Sequence, residues 1–184
     1  METIKLIKKF APIFIFHSNE RYYPVNLKTA EKEEFKENTG PEEPLYYSII
    51  RNENDTMVVN YILLFPVTYR GFLGISSLNG DVKIVKLELN TKKKTLQKIY
   101  FGNNLIQEFN LKTTRPRIYV SLETHNFYPT KFTQKNIFGY ATEETNEGLS
   151  WETESTQVYP IKKLTGKRYG NSKYVPYNFH RTLI

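Results

Sequence analysis

Apolar and polar positions alternate with a period of two along much of this chain. The clearest run is Val82-Lys83-Ile84-Val85-Lys86-Leu87-Glu88-Leu89. Val85, Leu87 and Leu89 share one face and Lys86 and Glu88 the other, the pattern of a half-exposed strand. Further strands are expected over Pro12 to Phe16, Leu45 to Ile50, Met57 to Phe65, Leu96 to Phe101 and residues 117–123, with short ones near 137–141 and 157–161. Arg51-Asn52-Glu53-Asn54-Asp55 reads as a hairpin connector, Asn79-Gly80-Asp81 as a turn, and Lys92-Lys93-Lys94 as a solvated loop tip. About eight short strands separated by turn residues predict an all-β fold over residues 1–160, an antiparallel β-sandwich or a jelly-roll-like variant. Residues 1–10 suit either a short amphipathic helix or an edge strand. Lys28 to Asn38 is a helix or a solvated loop, closed by Thr39-Gly40-Pro41. After Pro160 the pattern dissolves among Gly166, Gly170 and Pro176, so residues 161–184 read as an extended arm.

Composition agrees with strands. The chain holds 14 Tyr and 12 Phe, an aromatic excess typical of pleated, half-buried surfaces rather than helical bundles. Its 184 residues suit one domain large enough to bury a core unaided. The absence of cysteine excludes disulfides, thiolate zinc sites and a cysteine nucleophile. Lys5, Lys8 and Lys9 interrupt the first ten residues, so they do not form a secretory signal. The longest apolar run, Tyr61 to Phe65, is far too short to span a bilayer. An intracellular soluble protein is expected. Net charge is +7, and six cations without a single Asp or Glu lie between Ser155 and Ile184, which leaves +1 for the first 154 residues (7 less 6). The basic character is therefore assigned to the arm.

Two of the three histidines close strand-like runs that go on to Tyr-Pro: His17 before Tyr22-Tyr23-Pro24, and His125 before Tyr128-Pro129. Strand ends and their loops are where folds display chemistry. His125, among Ser121, Glu123, Thr124 and Asn126, is the best candidate for a catalytic base or ligand; its plainer role is to pin the turn before Tyr128. Asp81, His17 and His125, with Glu88, are the candidates for a metal site, but no His-x-His or His-x-x-x-His spacing supports them, so no metal or cofactor is expected. Gly74-Ile75-Ser76-Ser77-Leu78 lacks the closing glycine of a nucleophile elbow, and phosphate-loop glycine patterns are absent. Glu143, Glu144, Glu147, Glu152 and Glu154 read as a solvated acidic stretch.

Four pieces, in order, carry a family likeness. They are Ala11-Pro12-Ile13-Phe14-Ile15-Phe16-His17 with Glu20 and Tyr22-Tyr23-Pro24; Tyr61-Ile62-Leu63-Leu64-Phe65-Pro66; Arg115 to Pro129, running through Ile118-Tyr119-Val120 and His125-Asn126; and Gly148 with Trp151. Over residues 10–160 the chain resembles the Vps62-type domains, which implies a β-sandwich and, through the family's name, a link to vacuolar protein sorting. Similar sandwich toxins hold a divalent ion on an acidic and histidine cluster after the central glycine. Here that place reads Gly80-Asp81-Val82-Lys83-Ile84, and only Asp81 matches. The resemblance thus implies a degenerate member that keeps the scaffold and has dropped the site.

The arm interleaves Lys162, Lys163, Lys167, Arg168, Lys173 and Arg181 with Tyr169, Tyr174, Tyr177 and Phe179. Such a segment either docks on a protein surface through its aromatics or binds phosphates and stacks on bases. The expected function is a non-catalytic structural or interaction module, a subunit of a larger assembly docked by this arm. Nucleic-acid or anionic-membrane binding through the arm is the first alternative, and a hydrolase or metal-assisted site around His125 and Asp81 the second. The Lys-, Asn-, Ile- and Tyr-rich composition is that of an AT-rich genome and allows a virion-associated role.

Overall fold

The computed structural model describes residues 2–32, 36–70, 76–101, 104–111, 115–135, 141–154 and 157–161. Of the two forms expected near the start, the helix is observed: α1 (Glu2–Lys9), whose buried face is Leu6 and Ile7. The chain then enters β1 (Ile13–Phe16) and a short α2 (Leu27–Glu31) capped by Asn26, whose side chain accepts from Thr29 N. Two long antiparallel strands follow β2 (Leu45–Glu53): β3 (Thr56–Arg70) and β4 (Ser76–Asn90). β5 (Thr95–Phe101), β6 (Asn104–Leu111), β7 (Arg117–Val120) and β8 (Phe127–Tyr128) come next. The described chain ends with β9 (Thr133–Lys135), β10 (Ala141–Glu144), β11 (Ser150–Trp151) and β12 (Val158–Pro160). Among the described residues no helix is long and apolar enough to cross a membrane.

These strands form a six-stranded sheet in the order β12-β2-β3-β4-β5-β6, a four-stranded sheet in the order β11-β1-β7-β8, and the pair β10-β9. The expected all-β sandwich is thus observed, with one difference: β1–β7 and β12–β2 run parallel. The core lies between the two larger sheets. Tyr47, Val59, Tyr61, Leu63, Phe65, Val85, Leu87 and Leu89 point inward from the large sheet, and Phe14, Phe16, Ile118, Val120 and Phe127 from the small one. Aromatic rings bridge the gap, Phe16 to Phe65 at 6.4 Å and Phe101 to Phe127 at 6.1 Å between centroids. The 14 Tyr and 12 Phe are thereby explained in part as core filling. α1 caps one end of the core, held by the Tyr61 hydroxyl donating to the Ile7 carbonyl at 2.6 Å.

Two local expectations are corrected, and one strand was not expected. Asn79-Gly80-Asp81 is not a turn; β4 runs straight through it, pairing Asn79 with Val67 and Asp81 with Phe65. Gly80 takes φ 71° there, a conformation open to glycine, and it lies between those two pairs, across from Pro66, which has no N–H to give the ladder. The strand expected over 117–123 stops at Val120, because Leu122 to Thr124 turn and Glu123 and His125 adopt φ of 60° and 54°. β6 was not foreseen at all.

On the outer face of the large sheet, Ser48, Asn60 and Lys86 stand in one row across β2, β3 and β4. Asn60 is fully buried, and neither its Oδ1 nor its Nδ2 has a hydrogen-bond partner. An amide buried without partners costs more than it returns. Asn60→Val, suited to a strand, is therefore expected to stabilise the protein by about 1–2 kcal/mol, read as a raised Tm. A lowered Tm would mean that the amide is satisfied in solution.

Candidate functional site

β1 and β7 are parallel neighbours, with Phe16 opposite Val120. Their carboxyl ends therefore emerge side by side, and the two histidine-bearing segments meet at one end of the small sheet. His17 is buried; Nδ1 accepts from Asn19 N at 3.1 Å and Nε2 lies 2.9 Å from the Asn146 amide. Asn146 also accepts from Ser18 N at 2.8 Å, so it ties the β1 end to the segment leading into β11.

His125 sits deeper. It has no exposed surface, and its ring stacks on Phe65 at 3.8 Å and 9°. Nδ1 is 3.0 Å from the Thr68 hydroxyl and Nε2 is 3.3 Å from Glu20 Oε1, an ion-pair distance short of a well-formed hydrogen bond. Glu20 Oε1 also accepts from Arg21 N and Tyr22 N at 2.9 and 2.8 Å, and Oε2 from Glu123 N at 3.2 Å. Burial pushes the Glu20 carboxyl up, but the His125 ring and the backbone donors outweigh it and hold it below the usual carboxylate range. Thr68, His125 and Glu20 thus line up as hydroxyl, imidazole and carboxylate, the connectivity of a nucleophile, base and orienter. All three are buried, Thr68 and His125 completely.

The opposite side of the same turn rests on Glu143. Its Oε1 accepts from Ser121 Oγ at 3.1 Å, Thr124 Oγ1 at 2.8 Å and Asn126 Nδ2 at 2.6 Å. Burial raises this carboxyl, yet hydrogen bonds from Tyr128, Thr124, Asn126 and Ser121 bring it below its ordinary value. Burial in turn pushes the Tyr128 phenol up, and the Glu143 charge adds to the shift. The acidic stretch is thus not uniformly solvated: Glu143 is half-buried, and Glu152 pairs with Arg115 at 2.9 Å. Ser121 faces Glu143 rather than an imidazole, so it is not set up as a nucleophile.

The metal candidates do not converge. Asp81 Oδ2 is 3.3 Å from Lys83 Nζ, Glu88 is 3.4 Å from Lys98 Nζ, and the two histidines are engaged as above. Among the described residues no group of three or more His, Asp or Glu is arranged to hold a metal ion. Beside the turn lies a cleft of about 430 Å³, lined by Val82, Lys83, Ile84, Phe101, Asn126, Phe127 and Tyr128 and backed by His125. Lys83 reaches across it to Asn126 Oδ1 at 3.2 Å. The arm residues Lys162, Lys163, Lys167, Arg168, Tyr169, Lys173, Tyr174, Tyr177, Phe179 and Arg181, with His180, lie outside the described residues.

Sequence reasoning missed Glu20 and Glu143 as site residues. Glu20 had a signal, its His-x-x-Glu spacing from His17; Glu143 had none beyond its charge.

No family model matches the chain, and no curated protein matches it. Solved structures do. NLPPya in complex with mannosamine superposes with a TM-score of 0.54 at 13% identity, covering 93% of this chain and 83% of that one. The same protein in complex with glucosamine gives 0.54 at 11% identity over the same shares. A structure described as a toxin fold for microbial attack and plant defense gives 0.52 at 11% identity. The likeness is one of fold.

Both carboxylates titrate below their ordinary value of 4.5, so the unfolded state binds the more protons in acid. Their contribution to stability is complete above that value and is lost as pH falls through the folded-state pKa values. Stability is expected to stay flat from neutral pH down to the ordinary carboxylate value and to drop below it. Denaturant melts across pH would show a smaller acid slope for Glu143→Gln; an unchanged slope would mean that Glu143 is not held down.

Proposed function

We propose that this protein is a non-catalytic interaction module, a degenerate Vps62-type sandwich that serves as a subunit of a larger assembly and docks through its basic-aromatic arm. One observation carries the non-catalytic reading: the Thr68–His125–Glu20 line has the connectivity of a catalytic relay but no exposed imidazole for a substrate to reach. A general base must come within hydrogen-bond reach of the proton it takes. Here the ring instead joins the β7–β8 turn to the large sheet.

Deleting residues 161–184 tests the arm. The native mass is expected to fall to that of a single chain, or the truncated chain to lose co-purifying protein, while the melt of the sandwich is retained. If instead only retention on heparin or DNA is lost, with a steep salt slope, the arm is a nucleic-acid or anionic-surface binder and the assembly reading fails.

A second reading is favoured by the cleft beside the turn. Its floor is apolar and aromatic, and Lys83, Asn126 and Tyr128 stand as its few polar groups, the usual make-up of a small-molecule site. The amino sugars held by NLPPya are the natural first probes. Saturable binding that is lost in Lys83→Met would support it; no heat of binding at millimolar sugar would end it.

A further inference from the structure

A second concavity lies at the α1 end of the sandwich. It is a cavity of about 190 Å³ between α1 and the β4–β5 turn, with Leu6 in its lining. Its walls include Lys5 and Lys9 from the helix and Lys94 from the turn, with Thr3 and Thr91 among them. Lys5 and Lys9 stand one helical turn apart on α1, and Lys94 comes from a turn distant in sequence. They meet because Tyr61 anchors α1 over the core, and because the β4–β5 hairpin turns at Thr91 to Lys94, whose αL conformation (φ 55° at Lys94) closes the turn. Lys92 and Lys93 are exposed on the same turn.

The opposing charge is small. Glu2 lines the cavity and lies 3.7 Å from Lys94 Nζ, so it offsets part of that one lysine's charge and leaves Lys5 and Lys9 unopposed within the lining. Asp55 is on the adjoining β2–β3 turn and holds Thr91 through its backbone carbonyl, leaving its carboxylate out of the cavity wall. Three cations against one carboxylate around a concave surface focus a positive potential into it. The arithmetic of the sequence, which leaves the first 154 residues nearly neutral, hides this because acids elsewhere cancel it. The cavity is enclosed on two sides, which suits a compact ligand rather than a flat polymer surface. Ile4, 47% exposed on α1, is outside the wall, and a single apolar residue does not make a membrane-inserting face.

We propose that this cavity binds a small soluble ligand bearing two or three adjoining phosphate groups. Lys5, Lys9 and Lys94 supply the charge, and the Thr3 and Thr91 hydroxyls are the neutral donors. The site shares no residue with the histidine-bearing turn.

Inorganic triphosphate is the probe, titrated into the full chain by calorimetry at low salt. Saturable binding is expected, weakened about tenfold or more in a Lys5→Gln, Lys9→Gln, Lys94→Gln variant, since three exposed ion pairs are removed together. A second variant with Lys32→Gln, Lys36→Gln and Lys135→Gln removes the same charge from exposed positions elsewhere and should bind almost as the parent does. Equal weakening in both variants would overturn the proposal, showing attraction to net charge alone. Absence of binding would also overturn it, as would stronger binding to phosphatidylserine vesicles that survives the first triple substitution.

Discussion

Replacing Glu20 by alanine is expected to destabilise the protein by about 3–5 kcal/mol, because it removes one partner of a buried pair and strands the other. The effect reaches beyond the pair. Glu20 is the acceptor for Arg21 N, Tyr22 N and Glu123 N, so its loss leaves backbone donors of two segments without partners. It also frees Glu123 and His125 from positive φ, a conformation that non-glycine residues keep only where the surroundings impose it. For a chain of this size the melting temperature should fall by roughly 10 °C or more. Glu20→Gln, which keeps an acceptor and loses the charge, should fall between parent and alanine variant. A loss under about 1 kcal/mol in Glu20→Ala would show that the pair is a surface-like contact, and the structural reading of His125 would lose its support.

Gly148→Ala is the second large effect, expected to cost about 3 kcal/mol. A Cβ at this position would stand 2.5 Å from Phe16 O and from Ser18 N, and 2.6 Å from Ser18 Cα. All three are backbone atoms at the end of β1, so no rotamer change can make room. The same segments are joined by Gly148 N donating to Phe16 O at 3.1 Å and by the Asn146 bond to Ser18 N. Pushing them apart would strip β11 from β1 and uncover Trp151, which packs 6.1 Å from Phe14. Near-ultraviolet circular dichroism, which reports the single tryptophan, should lose signal along with the drop in Tm. Retention of both would mean that the chain avoids the clash by a shift that the packing of Trp151 tolerates.

The motif residues of the sequence are tied together by contact: Gly148 lets its segment lie against the end of β1, Trp151 covers Phe14, and Glu20 folds back under the β7 turn. Alternation along Val82 to Leu89 was enough to identify β4, and the charged tip Lys92 to Lys94 to identify the following turn, since both depend on local pattern alone. What was not legible depends on pairing over distance. Nothing near Ile13 or Arg117 signals that β1 and β7 run parallel, yet that pairing alone brings the two histidine segments together. Asn79-Gly80 carries the residues of a tight turn, but the pairing with β3 continues on both sides of it, and Gly80 stands opposite Pro66 within a long ladder instead. β6, with Gln107, Glu108 and Asn110 breaking its apolar run, lacks a clean period at the sheet edge. Glu143 looked like its acidic neighbours because its distinction lies in four donors that converge on it from residues 121–128.

Chemical labelling of the histidines tests the central claim most directly. With diethylpyrocarbonate under native conditions, followed by mass spectrometry, the account predicts that His125 stays unmodified and becomes reactive only when denaturant unfolds the chain. Labelling of native His125 at the rate of a free imidazole would contradict it, because a ring that solvent reagents can reach is one that a substrate can reach as well.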